Sequence, residues 1–225
     1  MDLLTPFGPM IGVGNLTDED FIPLKNDIFK ALGDTNKESH GPYLVGNIAE
    51  EIYFDLSRYE HQYLLLIDIV FDYITSVYKK ANVPVSKELI DINIVTAWIV
   101  NQKKNEYNPV HTHGSEISGI IYIDIPKEMT NIVSKLTYHK NKDYVNVSRA
   151  GELDFINDSN RIDHELSQGT FSVKPVAGNF FIFPGRLNHV VYPFTSDGSR
   201  ISMSFNANVH NHQLRNKFVP ISEET

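Results

Sequence analysis

Cysteine is absent from this chain of 225 residues. That excludes disulfides and thiolate metal centres, so any metal must be held by histidine or carboxylate. A reducing compartment is compatible with the absence but is not established by it. Long apolar runs are also missing. The greasiest stretch, residues 63–71, is interrupted by Asp68 and falls far short of the roughly 20 residues a membrane span needs. The first residues show neither a basic n-region nor a sustained apolar segment, so no signal peptide and no membrane partner are expected. Basic charge is in short supply: 20 Lys and Arg stand against 28 Asp and Glu, for a net charge of −8 and a pI near 5.5. A general binder of phosphate backbones carries a basic face, so a nucleic-acid partner is not expected. Internal repeats and low-complexity segments are lacking too.

What is present suits one large domain, residues 1–225, with enough chain to bury a core. Its first part, residues 1–90, is expected to form a helical buttress and an edge strand over residues 5–13. Thr17 and the acids of T-D-E-D form a helix start, and Phe21, Leu24, Ile28 and Leu32 recur at helical spacing up to Gly33. Asn47 with Glu50 resembles a capping box and predicts a short helix through Phe54 and Leu56. The clearest helical stripe is Tyr63, Leu64, Ile67, Val70, Phe71, Ile74, Val77 and Tyr78, which should pack on one face of a sheet. From Ile92 the period changes to two. Short strands are expected over 92–100, 117–125, 132–139, 170–173, 179–183, 187–192 and 200–209, separated by Gly, Pro and Asn turns, which favours a sandwich or barrel. Residues 140–168 are polar and poorly periodic, a long insertion of the kind that forms lids or substrate walls.

Two stretches carry the chemistry. Residues 108–124 read N-P-V-H-T-H-G-S-E-I-S-G-I-I-Y-I-D, with His111 and His113 ahead of an apolar alternating run. At i and i+2 on extended backbone both imidazoles point to the same side, which suits Fe(II), Zn(II) or Ni(II). Residues 178–208 contain His189 behind an aromatic run and a Pro184-Gly185 turn, then Arg200, Ser202 and Ser204 on one face of an alternating segment. Three imidazoles with an arginine–serine pair are the parts needed to hold a metal and a chelating dicarboxylate together. A polar row facing a barrel interior needs a ligand or water.

The pattern N-P-x-H-x-H, S-G-I-I-Y-I, F-P-x-x-x-x-H and R-I-S-x-S-F-N resembles the Fe(II)/2-oxoglutarate-dependent oxygenases, in particular a bacterial and phage branch with an H-x-H…H metal motif. The resemblance covers about the second half of the chain. It implies a mainly β fold with flanking helices, built on a double-stranded β-helix (jelly-roll, cupin-like) core over residues 91–210. It also implies Fe(II) held by His111, His113 and His189, and 2-oxoglutarate as cosubstrate held by Arg200 and Ser202, with Tyr122 on its carboxylate. The remaining partners would be dioxygen and a small-molecule or peptide substrate, hydroxylated with release of succinate and CO2. A cytoplasmic location, in a bacterial or phage-infected host cell, goes with that branch. The superfamily more often has Asp or Glu where this chain has His113, so either three neutral ligands serve or Glu116 contributes. Asn206 and Asn208 could line the mouth. His210 and His212, a second H-x-H with no apolar strand after it, read as surface residues. His40, His61, His139 and His164 have no partner at ligand spacing, although His164 could reach substrate from the loop.

Two other function classes share the architecture. One is a cupin-type enzyme with a three-His metal and no keto acid, from which Arg200 would set this chain apart. The other is a non-catalytic jelly-roll binding module, which would hold no tight metal.

Overall fold

In the computed structural model, which describes residues 1–4, 8–83, 85–130, 150–157 and 169–212, helix α1 (Asp18–Gly33) starts where the capping signal lies. The Thr17 hydroxyl accepts from the Asp20 N–H at 3.3 Å, with Asp18, Glu19 and Asp20 in the first turn. The helix includes Gly33, and Asp34 is its cap. The apolar stripe forms α2 (Glu60–Lys80), which buries Leu65, Leu66, Ile69, Val70 and Tyr73. No helix among the described residues is long and apolar enough to cross a membrane.

Among the described residues, eleven strands form two antiparallel sheets. In chain order they are β1 (Asp2–Leu4), β2 (Ile11–Asn15), β3 (Glu51–Tyr53), β4 (Ile90–Gln102), β5 (Asn108–His111), β6 (Ile117–Asp124), β7 (Leu153–Ile156), β8 (Thr170–Val173), β9 (Asn179–Pro184), β10 (Asn188–Val191) and β11 (Arg200–Asn211). The larger sheet runs β1-β2-β9-β6-β11-β4-β3 and the smaller β5-β10-β7-β8. The chain is therefore mainly β with few helices, the double-stranded β-helix arrangement.

Strand alternation divides the interior into two layers. Ile99, Ile121, Ile182, Met203 and Phe205 pack with Leu24, Ile28, Leu66 and Val70 of the helices. Their neighbours Ile120, Tyr122, Phe181 and Phe183 pack instead with Leu153, Phe155, Val173 and Val191 of the smaller sheet. Each strand of the large sheet thus gives one face to the helices and the other to a cleft between the sheets.

Three expectations need correction. No helix forms over 47–56. Glu51, Ile52 and Tyr53 pair with Val100, Ile99 and Trp98, while Ser39 bridges to Ile52 on the other side, and only Leu56–Arg58 make a single 3-10 turn. The ladder to β4 and burial of Ile52 and Phe54 outweigh the local capping signal. Of the strand expected over 5–13, only residues 11–13 are extended, within β2; β1 lies before it, residues 8–10 are not strand, and residues 5–7 lie outside the described set. Within 140–168 lies a buried strand, β7, paired to both β8 and β10. The rest of that segment, apart from residues 150–152 and 157, lies outside the described residues, as do the strand expected over 132–139, His139 and His164.

Candidate metal and cosubstrate site

His111 and His189 are cross-strand partners on β5 and β10, so their side chains leave the small sheet side by side. His113 follows two residues after His111, beyond the end of β5. Its N–H donates to the Gly185 carbonyl at 2.7 Å, and the Gly185 N–H donates to the Glu116 carbonyl at 2.9 Å. These two bonds tie the 184–185 turn to the 113–116 turn. A Cβ at Gly185 would fall well inside van der Waals contact of the Ser115 carbonyl, so the close approach requires glycine.

The three imidazoles converge. Ring centroids lie 4.1 Å apart for His111 and His189, 5.1 Å for His111 and His113, and 5.0 Å for His113 and His189. Their candidate ligand atoms all fall within 4.8 Å of one another, and the Nε2 atoms of His113 and His189 are 3.2 Å apart. Backbone carbonyls set two of the tautomers. His111 Nδ1 lies 2.7 Å from the Pro109 carbonyl and His189 Nδ1 2.9 Å from the Leu187 carbonyl. A carbonyl only accepts, so both Nδ1 atoms carry the proton and both Nε2 atoms present a lone pair. Phe183 packs against His189 with centroids 5.0 Å apart, adding a dry wall.

Burial lowers the pKa of all three. His111 is shifted down by desolvation, against the Pro109 hydrogen bond. Desolvation, helped by His111, takes His113 to about 4; desolvation, then His111, takes His189 to about 3. Neutral imidazole is the form that binds metal. Three neutral, converging imidazoles fit a borderline divalent ion such as Fe(II).

Across the cleft the large sheet contributes a polar row. Residues Val100, Ser202 and Tyr122 are in register on β4, β11 and β6, and therefore share a face. Arg200 starts β11 opposite Gln102 and donates to its Oε1 at 2.8 Å. Arg200 is 1 % exposed, yet its Nε and Nη2 have no hydrogen-bond partner among the described residues, and neither do the Tyr122 hydroxyl and the Ser202 Oγ. The guanidinium sits 5.0 Å from the centroid of the Tyr122 ring. Burial raises the Tyr122 pKa, with the Arg200 charge opposing it. Orphaned donors around a buried cation fit an acceptor-only group, a carboxylate, because an unpaired buried charge is costly. His111, His113, His189, Arg200, Ser202 and Ser204 all line one cleft.

Other residues are placed elsewhere. The Glu116 carboxylate accepts from the Val209 N–H at 2.6 Å and is not part of the imidazole cluster. Asn206 accepts from the Ser118 hydroxyl and Asn208 from the Glu116 N–H. His210 and His212 are exposed, His212 beside Asp91 at 2.5 Å. His61 lies 4.0 Å from Asp20, and His40 packs on Trp98 with centroids 5.6 Å apart. The sequence reading missed Glu51, Trp98 and Gln102, of which Glu51 and Trp98 line the cleft and Gln102 holds Arg200. The alternation Glu51, Ile52, Tyr53, Phe54 is the signal that could have revealed Glu51 on a strand.

Residues 96–206, from β4 to β11, match the family model described as "Putative 2OG-Fe(II) oxygenase". No curated protein sequence matches the chain significantly. Among solved structures, the chain is similar to a prolyl-4-hydroxylase of Pseudomonas putida, with 15 % identity over 87 % of this chain and 91 % of that one and a TM-score of 0.53. It is also similar to HygX of Streptomyces hygroscopicus, solved with nickel, 2-oxoglutarate and hygromycin B bound, with 10 % identity over 90 % of this chain and 83 % of that one and a TM-score of 0.54. At such identities the structures speak for the fold, and the family match speaks for the chemistry. Residues 96–206 thus resemble the 2OG-Fe(II) oxygenase family, oxidoreductases that use Fe(II) and 2-oxoglutarate.

Proposed function

We propose that the protein is a hydroxylase in which His111, His113 and His189 hold Fe(II), while Arg200, Ser202 and Tyr122 hold the distal carboxylate of 2-oxoglutarate. Its substrate is a small molecule or a peptide. When bound, the iron and keto acid supply the oxidation: dioxygen decarboxylates 2-oxoglutarate to succinate and CO2, and one oxygen atom enters a substrate C–H bond.

The protein's own part is positional and electrostatic. Pro109 and Leu187 carbonyls fix the His111 and His189 tautomers, so these two ligands present Nε2 lone pairs without a change of tautomer. Gln102 anchors one nitrogen of Arg200, which leaves the others for a carboxylate. Phe155 and Phe183 keep water from the His189 side. The single observation carrying the reading is the fully buried Arg200, with two nitrogens unpartnered among the described residues, in the same cleft as the imidazole cluster.

A three-His enzyme without keto acid draws support from the neutral ligand set, but it gives no role to the Arg200 nitrogens that have no hydrogen-bond partner among the described residues. The test is conversion of 2-oxoglutarate to succinate in air with added Fe(II). Succinate that depends on iron and on His189 supports the hydroxylase; iron bound tightly with no succinate formed favours the three-His reading.

A further inference from the structure

Two adjacent glutamates at the start of β3 have opposite fates. Glu50, just before the strand, accepts from Lys37 Nζ at 2.6 Å and from Asn101 Nδ2 at 2.5 Å. Glu51 points to the other face, as strand alternation requires. Its side chain is buried, at 3 % exposure, and lines the same cleft as the imidazoles, yet it makes no hydrogen bond or ion pair with any described residue. Register places it in the cosubstrate row: Glu51, Val100, Ser202 and Tyr122 lie side by side on β3, β4, β11 and β6. Two strand spacings, about 10 Å, separate Glu51 from Ser202.

Glu51 shares its part of the cleft with Asn108, Trp98 and Tyr43, and no lysine or arginine other than Arg200 lines it among the described residues. The Asn108 Oδ1 and the Glu51 Oε1 converge beside Gly46, the latter 3.3 Å from where a Cβ would stand. Trp98 forms the wall toward the metal side, its ring 5.9 Å from that of His113. His40 packs on both Trp98 and Tyr43, at 5.6 and 5.5 Å, and Tyr43 stands 77 % exposed at the mouth. Burial, reinforced by Glu106, pushes the Glu51 carboxyl up to about 7, the cost of a carboxylate held without a cation.

We infer that Glu51, with the ring faces of Trp98 and Tyr43, is the substrate anchor of this cleft and takes a cationic nitrogen, the amine or guanidinium of a small molecule or of a lysine or arginine side chain. An ammonium here would pair with the carboxylate, lie over electron-rich rings and supply the missing donors. The overall charge of −8 draws cations toward the molecule as well. This assignment rests on the hydroxylase reading for its purpose but not for its measurement.

Trp98 is the only tryptophan in the sequence, so its fluorescence reports on this wall without turnover. The probes are N-acetyl-lysine methylamide and its uncharged isostere N-acetyl-norleucine methylamide, titrated anaerobically into protein carrying Fe(II) and 2-oxoglutarate, and into metal-free protein. The lysine probe should quench or shift Trp98 and bind at least roughly tenfold tighter than norleucine, as a charged hydrogen bond commands. Glu51→Gln should erase that preference and leave 2-oxoglutarate binding unchanged. Glu51→Asp should keep part of it, and Glu50→Gln all of it. Equal binding of the two probes, no response to the lysine probe, or a preference that survives in Glu51→Gln overturns the inference. Failure of 2-oxoglutarate to bind at all would instead sink the hydroxylase reading, while the metal-free titration still decides for or against Glu51.

Discussion

At the scale of single residues, metal binding turns on protonation. His111, His113 and His189 are kept neutral by burial, and two of them have their Nδ1 protons fixed by carbonyls. Alanine at any of the three should cut Fe(II) affinity by more than the roughly 10–100-fold that loss of an outer hydrogen-bond partner costs. His210→Ala and His212→Ala should leave it unchanged, because both side chains are exposed and outside the cluster. Calorimetric titration of the five variants checks this, and comparable losses from the second pair would refute the assignment. The buried groups also give opposite pH dependences. A histidine whose pKa is depressed in the fold contributes stability above its unfolded value of 6.5, and that stability is lost as pH falls toward about 4 for His113 and about 3 for His189. Glu51 has the reverse sign. Its pKa rises from 4.5 to about 7, so its contribution is present below 4.5 and is lost as pH rises through 7. Metal-free Glu51→Gln should therefore gain melting temperature over the wild type progressively between those values, with a constant advantage above. An offset that does not change with pH would contradict a buried, titrating Glu51.

At the scale of elements, legibility followed packing. The helices α1 and α2 and the strands β4, β6, β9 and β11 were readable because each buries one regular face, and a period of 3.6 or 2 survives in the residues. The strand β3 was misread as a helix because Asn47 and Glu50 mimic a cap, whereas Glu50 is engaged by Lys37 and Asn101 from distant parts of the chain. Such long-range partners leave no local trace. The strand β7 was hidden for a related reason: Leu153–Ile156 is only four residues long and includes the buried Asp154, to which the Tyr192 hydroxyl donates at 3.0 Å. The candidate ligands and Arg200 were legible from spacing, but Gln102, which holds Arg200, and Glu51 were not. The turn at Gly185 belongs to this scale as well. Gly185→Ala would push the backbone off Ser115 and drag the hydrogen-bonded His113 with it. Fe(II) affinity should fall while far-ultraviolet circular dichroism stays close to wild type; unchanged affinity would show that the turn does not position His113.

At the scale of the whole molecule, one sheet serves two layers. Its outer face is held by α1 and α2 through an aliphatic core, and its inner face carries the polar row that looks across to the imidazoles. Stability and chemistry are therefore separable. Leu66→Ala, a fully buried α2 side chain, should cost about 2–5 kcal/mol in chemical denaturation and leave Fe(II) affinity in place. A proportionate loss of affinity would mean that the outer layer sets the cleft geometry after all. The central claim is that the cleft joins a metal to a carboxylate clamp, and anaerobic titration of 2-oxoglutarate into Fe(II)-loaded protein tests it most directly. Wild type should develop the weak visible charge-transfer band of a keto acid chelated to Fe(II). Arg200→Ala should bind Fe(II) normally but require 2-oxoglutarate concentrations higher by a factor corresponding to roughly 2–5 kcal/mol, with Arg200→Lys restoring only part of the loss. A wild type that binds Fe(II) without developing the band, or an Arg200→Ala variant that develops it at the same concentration as wild type, would contradict the account.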